Sequence, residues 1–119
     1  MAYSTDEGRT QILDDAAAAV DQLSIAIAAL GEAYERLDEA AGDRLEAELF
    51  RPLQSAYGQL KRTHSEFARR VGLPGREFPA APPPAPADPR VSLEHAADAI
   101  QTADEMLAEL QDSLLPVEV

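Results

Sequence analysis

Few residues of this 119-residue chain could do acid–base or metal chemistry, and their spacing argues against most of it. Two histidines are present, His64 and His95. A carboxylate-bridged di-iron bundle needs Glu-x-x-His on two helices, with further glutamates pointing inward. Lys61 stands three residues before His64, and Ser92 three before His95, so the pattern fails at both. His64 lies on an apolar flank between Tyr57 and Val71 at heptad spacing. A partly buried histidine with a hydrogen-bond partner is expected there. His95 follows Glu94 on an outer helical side and reads as solvated. The absence of cysteine removes disulfides, thiolate catalysis and zinc–sulfur sites together. The sequence therefore assigns no catalytic, cofactor-binding or metal-binding residue. A ligand- or metal-binding bundle centred on His64, with Tyr57 and nearby acids, is the alternative from another functional class.

Lys61, Arg62, Arg69 and Arg70 form a basic stripe in an otherwise acidic chain of net charge −12. The stripe could meet a phosphate or an acidic partner. It is expected instead to be a solvated face near a helix C-terminus, paired with acidic neighbours. The one phenyl ring within it, Phe67, belongs to the apolar face, so no aromatic stacking platform interleaves with it. An acidic chain repels phosphate backbones and anionic bilayers, so neither nucleic acid nor membrane is expected as a partner. An acidic inhibitor that mimics nucleic acid on its target is a further alternative. The N-terminus lacks a basic-then-apolar signal pattern, and the runs AAAAV and IAIAAL are short, so a cytoplasmic location is expected. Nine arginines against one lysine, with no asparagine, fit GC-rich coding.

Tyr34 and Asp38, in YERLD, resemble the Tyr-x-x-x-Asp/Glu export signal of type VII secretion substrates, a family of small helical hairpins. The resemblance covers five residues. The Trp-x-Gly turn of that family is absent, and the family carries its signal after the second helix. Tyr34 is equally explained as an apolar seam residue.

These side chains must be positioned by helices. Leu13, Ala16, Val20, Leu23, Ile27, Leu30, Tyr34, Leu37 and Ala41 fall at alternating intervals of three and four, an a/d heptad seam. Ala19, Ala26, Ala33 and other small residues flank it, which predicts a broad buried face over about residues 10–41. Gly42 reads as a stop and Asp43 with Glu46 as a capping box, opening a second helix over 43–71. Its apolar residues are Leu49, Leu53, Ala56, Leu60 and Phe67, beside Phe50, Tyr57, His64 and Val71. Pro52 interrupts this pattern and predicts a kink, or a separate turn before it. Gly72, Leu73 and Pro74 end the helix.

Six prolines crowd residues 78–90. The linker 73–88 can reach about 50 Å as polyproline II, enough to carry the chain back along the hairpin. It reads as a crossover, as a link that hands the third helix to another copy, as a disordered insertion, or as a proline-recognition motif. Asp88–Pro89 opens a third helix over 89–114, with Leu93, Ala96, Ile100, Ala103, Leu107, Leu110 and Leu114 as its seam. Pro116 is its expected stop, and residues 117–119 a frayed tail.

The expected architecture is one all-α domain over 1–119: an antiparallel hairpin plus a third helix, a three-helix bundle completed by dimerisation. Basic residues concentrate in the middle helix, which predicts a place for it between the two acidic ones. The alanine-rich core is thin, which favours a partner. The expected function is non-enzymatic: an oligomeric scaffold, adaptor or accessory subunit that contacts itself, another protein or both. The interaction candidates are Ala19, Leu23, Ala26, Ile27, Leu30, Ala33, Tyr34, Leu107 and Leu110, with Ala19, Ala26 and Ala33 forming the dimer strip.

Overall fold

The computed structural model describes residues 5–114, with the side chains of 113 and 114 left aside. The side chain of Leu114, the stop at Pro116 and the tail 117–119 lie outside the described residues. The described chain is all-helical and contains three helical rods.

The first rod, α1 (Thr5–Glu35), starts five residues earlier than expected, with Asp6 and Glu7 in its first turn. Acids there favour the positive end of the helix dipole. It also stops earlier. The Arg36 N–H donates to the Ala33 carbonyl at 3.1 Å and the Leu37 N–H to that of Tyr34 at 3.2 Å, tightening the last turn. Asp38 is extended, and its carboxylate accepts from the Ala41 N–H at 2.8 Å, capping α2 (Glu39–Leu45). The turn therefore belongs to Asp38, not to Gly42 and Asp43. Gly42 is buried inside α2, where a Cβ would stand 3.2 Å from the Tyr34 ring. It is a packing glycine, which the sequence alone does not distinguish from a stop.

From α2 the rod passes through a π turn (Glu46–Phe50) into α3 (Arg51–Val71) without a break. The distortion expected at Pro52 takes this form. The Arg51 N–H bonds back to the Glu46 carbonyl, and the extra residue relieves the crowding between Pro52 and the Glu48 carbonyl. α3 ends as the sequence implies. Gly72 is left-handed at φ 72, the Leu73 N–H reaches the Ala68 carbonyl at 2.9 Å, and the Gly72 N–H that of Arg69 at 3.2 Å.

The linker lies along α1 as a strap. Arg76 pairs with Asp14 at 3.1 Å, and the Ala81 N–H donates to the Ser24 hydroxyl at 2.7 Å. Five residues of strap thus cover ten of helix, about 15 Å on either count. Ala81 and Pro83 line a cleft with Gly31 and Glu35, so the strap runs towards the C-terminal end of α1. Of the four readings of the linker, the described chain displays the crossover. α4 (Pro89–Leu114) then begins, with Asp88 accepting from the Arg90 N–H at 2.8 Å.

The expectation that the basic middle helix separates the acidic two is not met. α1 is the central rod, and α4 packs against it more extensively than α3 does. Among the described residues no Cα of α3 comes within 8 Å of one in α4. Small side chains decide this. Ala26, Ala29 and Ala33 of α1 share one core cluster with Ala96, Ala99 and Ala103 of α4, so the two backbones can approach closely. Most acids of both helices are exposed, where solvent screens them.

The expected seam of α4 is also turned. Ser92, Ala96, Ala99 and Ala103 are its buried residues, while Ile100 is 37% exposed. α1 passes by length and composition as a membrane-crossing helix, with an 18-residue window of mean hydropathy 1.3, 56% of it buried inside the fold. Counting uninterrupted apolar runs misses this, because its alanines and leucines are spread along the whole helix.

Candidate functional site

The turned face of α4 leaves its large side chains beside an open groove. Leu107 of α4 faces Ala56, Gln59, Leu60 and Thr63 of α3 across a gap of about 290 Å³, with Leu23 of α1 at its floor. Leu93 and Leu107 are half-buried and Ile100 is exposed, all three at heptad spacing on α4. On the α3 wall Ala56 is exposed and Leu60 half-buried; along the same rod Leu49, in the π turn, is 47% exposed and Phe67 is half-buried. Ile27 is half-buried, while Leu30 is closed off in the core. The expected seam thus splits in two. Its small residues join α1 to α4, and its large ones are left around the groove.

Of the interaction candidates, Leu23 and Leu107 line this groove, Ile27 packs half-buried against the core, and Leu110 is half-buried further along α4. Ala19, Ala26 and Ala33 are fully buried within the chain, so the alanine strip expected to carry a dimer is already covered. Its cover is intramolecular because α4 is close enough to reach it. Tyr34 is half-exposed, held at the turn against Gly42. The signal-like Tyr34 and Asp38 thus have local structural roles as a packing ring and a helix cap. Leu49 is an exposed apolar residue that the sequence places on the α3 seam without marking it as an interaction candidate, and Ile100, a seam residue of α4, is exposed as well. Their heptad spacing was visible, but their exposure was not.

The basic stripe is mostly solvated. Arg62, Arg69 and Arg70 are exposed, and Lys61 stacks over the Tyr57 ring at 4.3 Å. The expected pairing with acidic helices is not found among the described residues. No ion pair among the described residues joins α3 to α4.

His64 is 3% exposed, and neither ring nitrogen meets a partner at hydrogen-bond geometry. The partner expected for it is missing because an apolar neighbour takes its place. Phe78 of the strap meets the imidazole edge-to-face, with centroids 5.0 Å apart. Burial lowers the imidazole pKa below the usual 6.5, and Arg76 lowers it further. The nearby Leu13 carbonyl and Asp14 work in the opposite sense. His95 is exposed, as expected. No group of three His, Cys, Asp or Glu among the described residues could hold a metal ion.

The sign of the resulting pH dependence follows from linkage. The folded chain holds the proton on His64 less tightly than the unfolded chain does, so below about pH 6.5 the unfolded state binds more protons. The contribution is present above that pH and is lost as the pH falls through the lowered folded value. Thermal melts between pH 7.5 and pH 5 should show a falling Tm that is reduced in His64→Leu. An equal slope in both proteins would remove His64 as the cause.

No family model, curated protein or solved structure matches the chain.

Proposed function

We propose that this chain is a non-enzymatic, cytoplasmic helical-bundle protein that acts through protein–protein contacts, as an oligomeric scaffold, adaptor or accessory subunit. The observation that carries the reading is the open face between α3 and α4. Leu23, Ala56, Leu60 and Leu107 line one groove, and Ile100 is exposed one heptad before Leu107. An open, largely apolar groove of this kind on a small bundle marks an interaction site. The turned α4 seam adds to the argument, because a heptad stripe is a helix-packing surface and this one leaves Ile100 exposed and Leu107 only half-covered. Dimerisation belongs to the same reading, with its surface moved from the buried alanine strip to the open face.

The test is differential capture from the native host with two tagged baits, the wild type and Ile100→Asp. Partners, the untagged chain included, should be retained by the first and lost by the second. Equal recovery on both baits would detach the function from this face.

A further inference from the structure

We infer that the open face is closed by a second copy of the chain, related by a two-fold axis along the helices, with α3 of each protomer over α4 of the other. This rests on the reading of that face as a protein-contact surface, and it names the occupant.

Charge argues for self-recognition. α3 carries five cations and one acid, α4 six acids and one cation. The two helices stand apart in one chain, and no ion pair among the described residues joins them. Each protomer therefore carries a net-positive and a net-negative helix side by side. A contact between identical surfaces succeeds when rotation places unlike parts opposite each other. A two-fold axis along the helices does this, setting α3 over the partner's α4. An axis across the helices would stack like on like, with acid facing acid.

Register supports the same axis. Leu60 of α3 and Leu107 of α4 line one groove, so they lie at one level of the bundle. The cations Lys61, Arg62, Arg69 and Arg70 follow Leu60 towards one end. The acids Asp104, Glu105, Glu109 and Asp112 surround and follow Leu107 towards the same end. An axis along the helices preserves this level, so the basic end of α3 meets the acidic end of the partner's α4. The apolar residues agree in spacing. Leu93, Ile100 and Leu107 repeat every seven residues, as do Leu60 and Phe67, the period that lets two helical rods interlock. The face measures roughly 30 by 20 Å, about 1,200 Å² for the pair, near the lower limit of stable interfaces. Association at micromolar concentration fits that size.

The chain contains no cysteine, which makes a trapping experiment direct. Thr63 lies in the groove and Gln111 one turn beyond Leu107, both exposed. Thr63→Cys and Gln111→Cys, mixed in equal amounts and oxidised, should form the mixed disulfide in preference to either self-pair. Light scattering should give twice the chain mass for wild type at high micromolar concentration. Ile100→Asp should raise the dissociation constant by more than about tenfold at unchanged helicity. Ala56→Asp, on the α3 wall, provides the same readout should Ile100→Asp fail to fold. A single-chain mass throughout, or self-pairs exceeding the mixed disulfide, would overturn the proposal. A monomer whose capture of host proteins is still lost in Ile100→Asp would remove the second copy and leave the contact face standing. A monomer whose capture is unaffected would remove both.

Discussion

Ala26→Arg should unfold the molecule rather than separate two copies of it. Ala26 is fully buried in the cluster that also holds Ala96, Ala99 and Ala103. An arginine there must displace α4 or leave its guanidinium without water or an anion. The buried, unpaired charge alone costs at least about 3 kcal/mol, and the added volume raises the cost. A domain of this size has a total stability of about 5–15 kcal/mol, so most or all of it is lost. Circular dichroism should show a large loss of helix, or a melt with little cooperativity, at every protein concentration. A variant that melts like the wild type while losing dimer mass would return the alanine strip to the surface and contradict the packing of α4 on α1.

Leu30→Ala should have the next largest effect. Leu30 is 2% exposed and, with Val20, is the largest side chain fully enclosed by the fold. It packs in one cluster with Leu23, Leu45 and Leu53, so its loss leaves a hole among three separate elements. Truncations of this kind cost about 2–5 kcal/mol, which lowers Tm by roughly 10 °C or more in a chain of this length. Ile27→Asp is the informative comparison. The heptad pattern puts Ile27 at the middle of the seam, but it is half-buried, so a carboxylate there can reach water. Its Tm should fall less than that of Leu30→Ala. A larger fall would place Ile27 in the core and Leu30 outside it.

The groove was only half legible in the sequence. The heptad at Leu93, Ile100 and Leu107 could be read directly, because periodicity is a property of one helix. Whether that stripe is covered depends on its neighbours. In α4 the seam has two candidate faces about one residue apart, a large one through Ile100 and a small one through Ala99 and Ala103. Hydrophobicity alone favours the large face. The small one takes α1 because α1 offers alanines at matching positions. His64 illustrates the same limit. Its place on the apolar flank was readable, but Phe78 of the strap, fourteen positions along the chain, fills the place where a polar partner was expected.

The sequence by itself determined what short-range chemistry controls. The all-α class follows from periodicity, and the end of α3 from the left-handed backbone that Gly72 permits. The start of α4 follows from the Asp88 carboxylate beside a proline with no N–H to lose. The extended strap follows from prolines that fix the backbone dihedral. Tertiary structure alone decided that α1 is the central rod, that Gly42 packs against Tyr34 instead of ending a helix, and that the alanine strip is covered from within. Each of those outcomes depends on how closely two backbones can approach. That distance is set jointly by side chains far apart in the chain, and no local pattern contains it.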